Sequence, residues 1–310
     1  MKQCSPSQIS SSALIFLCFG FCQNLTSAAH SAEYCNQGLI SPILIVGDNE
    51  SQFTALATFG SLVSGHTDNN GDYPNAPNHA IVKTRVLDGE TLLSDRVQAG
   101  FTLPVVELSN PGSDVSGLGD FTTRIGYEYL TDWTYNPFRP KGIGFLELTL
   151  PTGKTKFESS LGELDTNGNG FWSVGGGTLL TKVVEDFDVF LSLEAHRNFS
   201  KSINTTQLSG TLYPGTGGSM GFGVGYTLDA FRFGAALSWS LESPIRFSGL
   251  NTQFESEFER YSTASLSMSY FATEEWAGTI TYLDQTWFSD SVNTNLARSV
   301  ALQIQRSWPR

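Results

Sequence analysis

Phe121, Thr123, Ile125, Tyr127 and Tyr129 alternate along the chain with Asp120, Thr122, Arg124, Gly126 and Glu128. Successive side chains of a β-strand point to opposite faces, so this segment has one apolar-aromatic face and one charged face. A second strand follows it and ends in LPTGK, Leu150 to Lys154. A soluble β-sandwich alternates in the same way with its polar face in water, so the period alone leaves open what each face meets.

The same period recurs. Phe187, Val189, Leu191 and Leu193 oppose Asp188, Ser192, Glu194 and His196, and Phe231, Phe233, Ala235, Leu237 and Trp239 oppose Arg232, Gly234, Ala236 and Ser238. Met220, Phe222, Val224 and Tyr226 face away from Gly221, Gly223 and Gly225. The pattern predicts strands over 53–63, 80–88, 95–108, 118–130, 141–150, 170–184, 186–197, 219–228, 230–242, 259–271, 275–287 and 297–308. Thirty-one glycines and the lack of any long helix-period stretch agree with an all-β chain rich in turns.

The connections decide between sandwich and barrel. Counted back from the carboxyl end they alternate: 288–295 longer, 272–274 short, 243–258 long, Asp229 short, 198–218 long, Glu185 short, 151–169 long. Upstream the contrast weakens, with 131–140 set against 109–117. A sandwich has no reason to gather its long loops at one end, whereas an outer-membrane barrel has short turns at one end, longer loops at the other and an even strand count. The expected fold is therefore an all-β, closed antiparallel transmembrane β-barrel of about 12 strands over 53–310. Its outward face meets outer-membrane lipid, and closure gives every backbone group a partner where water is missing. Tyr129, Trp133, Trp172, Trp276, Trp287 and Trp308 suit the aromatic girdles.

Residues 1–29 have the form of an export signal, with Lys2, an apolar run from Ala13 to Cys22 and a small-residue cleavage site after Ala29. That run is about half the ~20 residues a spanning helix needs. Cleavage would leave Cys35 as the sole cysteine of the mature chain, which then has no internal disulfide. Residues 30–52 read as an N-terminal periplasmic segment or plug. A net charge of −12 argues against nucleic acid as a partner.

SGLGD at Ser116 to Asp120, followed by LPTGK at Leu150 to Lys154, resembles the outer-membrane transporter family named for meta-pathway phenol degradation, more loosely from about Arg96 to the end. The resemblance implies a barrel in the outer membrane of a Gram-negative bacterium that admits small hydrophobic or aromatic solutes, inserted by the barrel assembly machinery. Many such barrels end on an aromatic residue, whereas here Trp308 precedes Pro309 and Arg310.

Inward positions are the candidate site. Arg124, Glu128, Glu147, Asp188, Glu194, His196, Arg232 and Glu242 are expected to line the lumen with charges of both signs. The inward glycines Gly175, Gly177, Gly221, Gly223 and Gly225 either leave room for a solute or serve strand twist. DTNGNG, from Asp165 to Gly170, opens like a calcium loop, but Gly176 stands where the bidentate glutamate belongs, so an Asn-Gly turn is the simpler reading. Nothing calls for a cofactor, a metal or catalysis. Three functions remain open: a passive channel for small, apolar or aromatic compounds, a structural or surface-binding barrel, and a hydrolase built around His196.

Overall fold

The structure is a computed structural model that describes residues 44–47, 49–64, 81–110, 113–132, 136, 138–159, 165–205, 208–250, 252–288 and 291–310. The signal segment, Cys35 and Trp133 lie outside the described residues. The strands are β1 (Asn49–Ser64), β2 (Ile81–Ser94), β3 (Val97–Asn110), β4 (Ser113–Leu118), β5 (Phe121–Leu130), β6 (Lys141–Leu150), β7 (Ser173–Val184), β8 (Phe187–Asn198), β9 (Lys201–Asn204), β10 (Ser209–Tyr213), β11 (Thr216–Leu228), β12 (Phe231–Glu242), β13 (Arg246–Gly249), β14 (Gln253–Glu255), β15 (Glu259–Phe271), β16 (Trp276–Asp284) and β17 (Leu296–Pro309).

Twelve of them, β1–β3, β5–β8, β11, β12 and β15–β17, close into an antiparallel barrel, joined by β1 to β17 and by β2 to β3. Each expected strand is present. The first begins four residues earlier than the pattern suggested, at Asn49, because NESQ pairs with Trp308 and Ser307 of the last strand. The stretch 109–117 is mostly strand rather than a connection, since β4 pairs with Val105 to Asn110 of β3. Below it β5 takes over as the partner of β3. The handover falls at Pro104, which has no N–H to give the ladder and accepts the Gly119 N–H at 2.9 Å.

Connections 95–96, 131–140, 185–186, 229–230 and 272–275 share one end with both described chain ends, here the terminus end; the longer ones gather at the loop end. Glu185 (φ 53°) and Asp229 (φ 51°) take left-handed backbone, as two-residue hairpins require. At the loop end β9, β10, β13 and β14 form a separate antiparallel sheet. It packs Ile203, Leu212, Ile245 and Phe247 with Phe171 into a core of its own.

Burial follows the alternation. Phe187, Phe222, Phe233, Leu266 and Ile304 stand exposed on the outer wall, while Asp188, Ser192, Arg232, Ser265 and Gln305 are buried within. An apolar exterior round a polar interior is the chemistry of a wall solvated by lipid. Arg306 lies over the rings of Trp276 and Trp308, 5.3 and 4.9 Å from their centroids, at the terminus-end rim.

Candidate functional site

Arg124, Glu147, His196 and Glu242, together with Glu90 and Glu259, sit on one row of the hydrogen-bond register. Pairing runs Gln52, Glu90, Gly100, Arg124, Glu147, Gly175, His196, Gly217, Glu242, Glu259 from strand to strand. Tilted strands make such a row climb. This one rises from the start of β1 at the terminus end to the start of β15 at the loop end.

Long side chains bridge along the row. Arg124 lies 3.5 Å from Glu90 and 3.2 Å from Glu147, and Gln52 donates to Glu90 at 3.4 Å. His196 is held between two carboxylates, Glu194 at 2.9 Å and Glu242 at 3.0 Å. Glu194 also accepts from the Ser219 hydroxyl at 3.4 Å. The glycines of the row are where these chains lie: a Cβ at Gly100 would meet Glu90 Cγ at 2.5 Å, and one at Gly217 the Glu242 carboxylate at 2.4 Å. The spacing of glycine and charge is a packing requirement that alternation alone did not reveal.

Nearer the terminus end, Arg232 grips Asp188 with two hydrogen bonds, 2.8 Å from Nε and 2.5 Å from Nη2. Glu128 pairs with Lys141 at 2.9 Å and Lys182 with Asp132 at 2.7 Å. Gly175, Gly177, Gly223 and Gly225 do not leave open room. A Cβ at Gly223 would lie 2.2 Å from the Phe190 ring, one at Gly225 2.3 Å from Arg232 and Asp188, and one at Gly177 2.6 Å from Phe145.

Phe145 and Phe190 belong to an inward apolar group that the polar-face reading passed over. Ile143, Phe145, Leu179, Phe190 and Ala236 cluster with Leu44 and Val46 of the segment preceding β1. Leu44, Ile45 and Val46 are 0%, 2% and 1% exposed, so this segment lies inside the wall. The Gln98 carboxamide accepts from Ile45 N–H at 2.6 Å and donates to Ile45 C=O at 3.3 Å, and Lys141 donates to Val46 C=O at 2.7 Å. Only parity gave Phe190 away, since it shares the even register of Asp188 and Ser192.

At the loop end the sequence motifs meet. Asp120, closing SGLGD, accepts N–H bonds from Gly153 at 2.8 Å and Gly170 at 2.9 Å. Thr152 of LPTGK donates to Gly119 C=O at 2.6 Å and accepts from Phe121 N–H at 2.9 Å. Asn167 accepts from Lys154 N–H at 2.6 Å. Burial pushes the Asp120 carboxyl above the usual aspartate range, while the N–H groups of Gly170, Gly153 and Asn169 and the Lys201 ammonium pull it back. Lys154 and Ser159 both bond Asp165. DTNGNG docks on Asp120 through the Gly170 N–H and on LPTGK through Asn167.

No protein-family model matches the chain, and no curated protein matches it significantly. Solved structures do. An outer membrane channel from Pseudomonas putida F1 superimposes with a TM-score of 0.66 at 16% identity, over 83% of this chain and 96% of that one. The chain has the fold of an outer-membrane channel. The NanC porin (TM-score 0.45, 8% identity, 82% of this chain, 98% of that one) and the TodX monoaromatic hydrocarbon channel (0.43, 10%, 86% and 91%) are more distant. Among the described residues the aromatic girdle positions Tyr129, Trp172, Trp276, Trp287 and Trp308 are all exposed on this barrel.

Proposed function

We propose that this barrel is an outer-membrane channel for the passive passage of small, apolar or aromatic solutes, exported on a cleaved signal and inserted by the barrel assembly machinery. The observation that carries this is the inner wall: a continuous climbing row of polar side chains beside an apolar patch of Ile143, Phe145, Leu179, Phe190 and Ala236. A barrel serving only as a scaffold has no need of both surfaces facing inward. The resemblance of SGLGD and LPTGK to the phenol-degradation transporter family points the same way. In this reading Arg124, Glu128, Glu147, Asp188, Glu194, His196, Arg232 and Glu242 line the path, and the contacts they make with one another and with Lys141 keep the lumen narrow. Glycine 223 contributes by seating Phe190 against the wall.

A second reading, a structural barrel without transport, is favoured by the burial of Leu44, Ile45 and Val46 inside the lumen. His196 has a carboxylate against each ring nitrogen, which leaves neither nitrogen available to act as the base of a nucleophile. Solute flux separates the two readings. Purified protein in liposomes should pass benzyl alcohol faster than protein-free vesicles do, and Phe190→Ala, which removes a ring from the narrow patch, should raise that flux several-fold. Flux equal to empty vesicles for both proteins would leave the structural barrel standing.

A further inference from the structure

Leu44, Ile45 and Val46 occupy the inner wall as a ligand occupies a pocket. The Leu44 and Val46 side chains meet an apolar seat of Ile143, Phe145, Leu179, Phe190 and Ala236. Two of these are aromatic rings pressed onto glycine, Phe145 against Gly177 and Phe190 against Gly223, where a Cβ would lie 2.6 and 2.2 Å away. Rings backed by bare main chain form a firm, shaped surface.

The polar contacts of the seat are equally specific. Gln98 offers one acceptor and one donor, to Ile45 N–H at 2.6 Å and to Ile45 C=O at 3.3 Å. Lys141 adds a donor to Val46 C=O at 2.7 Å while Glu128, at 2.9 Å, balances its charge. A neutralised ammonium beside a carboxamide suits an uncharged group that can both give and take a hydrogen bond. It does not suit a bare carboxylate, which would meet Glu128.

We propose that this seat is a solute-binding site, and that it takes small uncharged molecules joining a branched or aromatic apolar body to one amide or hydroxyl group. The chain segment holds the site as an internal ligand. It precedes β1, whose pairing begins at Asn49, so it can leave without unpairing any barrel strand. Tethered so closely it is present at high effective concentration, and the apparent affinity for solute falls by the fraction of protein whose seat is filled. The proposal rests on the channel reading for its biological use, but binding itself needs no flux.

Calorimetry on refolded barrel in detergent tests it, with isovaleramide as the probe because it is a leucine side chain carrying an amide. The variant Leu44→Ser/Val46→Ser weakens the internal ligand and should bind isovaleramide at least tenfold more tightly than wild type. In that background isovalerate should bind at least tenfold more weakly than the amide, and Gln98→Leu should lose at least tenfold for the amide. Heat-dependent gel mobility confirms that each variant is folded; if Gln98→Leu does not refold, Phe190→Leu in the same background serves, with the same loss expected. Equal affinity in wild type and the double serine variant, or an amide affinity indifferent to Gln98 and Phe190, overturns the proposal. Benzyl alcohol flux is measured in parallel. Tightened binding with no flux in any variant sinks the channel reading alone, whereas flux above that of empty vesicles with equal isovaleramide affinity in wild type and Leu44→Ser/Val46→Ser sinks the internal ligand alone.

Discussion

The terminus-end and loop-end halves of the lumen come from the same alternating strands, yet each arranges its apolar and charged side chains differently. Toward the terminus end the wall turns Ile143, Phe145 and Phe190 inward onto Leu44 and Val46, beside the discrete pairs Arg232–Asp188, Glu128–Lys141 and Lys182–Asp132. Toward the loop end it turns in Glu194, His196, Glu242 and Glu259 on one side and the apolar Leu62, Val82, Val106 and Leu108 on the other, and the separate sheet β9, β10, β13, β14 sits at that end with its own core. The difference shows that parity fixes which side chains point inward but not what they do there. An apolar inward patch needs something to cover it, whereas the row bridges its own members through Arg124 and His196 and borrows Lys156 for Glu259.

The largest effect should come from breaking the row between the halves. Arg124→Met strands Glu90 and Glu147, and both Arg124 and Glu90 side chains are at most 4% exposed; removing one partner of a buried pair costs about 3–5 kcal/mol. Urea titration of refolded barrel should show that loss, and Arg124→Met/Glu147→Leu should recover part of it. A single variant as stable as wild type would mean that water enters the row.

The apolar half should answer less steeply. Phe145→Ala opens a cavity, worth about 3 kcal/mol in a close-packed core, but here Leu44 and Val46 can move to fill it. The same titration should therefore give a smaller loss than Arg124→Met, and a larger one would mean that the segment is as rigid as the wall.

A third test reaches the loop end. Asp120→Ala leaves the N–H groups of Gly153 and Gly170 without their acceptor, at about 1–3 kcal/mol for buried donors. Loosening should stay local, seen as faster proteolysis within 151–172 while the heat-modifiable barrel persists. Uniform loss of the barrel would show that SGLGD supports the whole wall.

The smallest effect belongs to the rim. Arg306→Ala removes the cation from Trp276 and Trp308 and should cost about 1 kcal/mol or less. A drop as large as that of Arg124→Met would place this rim deep in hydrocarbon instead of at its edge.

How far these contrasts could be read from the sequence depends on how local their causes are. Strand number, loop rhythm and inward parity are written in adjacent residues, and the twelve strands emerge where alternation places them. The climbing row depends on stagger between strands, a closure property that no single strand carries. Gly223 shows the limit most clearly. Alternation set it inside the barrel, but its use is fixed by Phe190 on the neighbouring strand, paired with it at Gly223↔Phe190. The clasp of SGLGD, LPTGK and DTNGNG was visible as three motifs and invisible as one contact.

The pairing of β1 with β17 ties residues near the two ends of the described chain, and its inner face includes a Gln305–Gln52 bond spanning 253 positions. All other barrel neighbours are close in the order of strands, so the barrel can be assembled hairpin by hairpin, except for this joint. Until the last strand arrives, β1 and β16 present open edges and the polar interior is unshielded from lipid. Closure is then a single late event that waits on the longest-range contact, the situation in which folding is slow. Once formed, the seam turns an open sheet into a ring with no place to begin unravelling, so its lifetime should be governed by the rate at which this one joint parts.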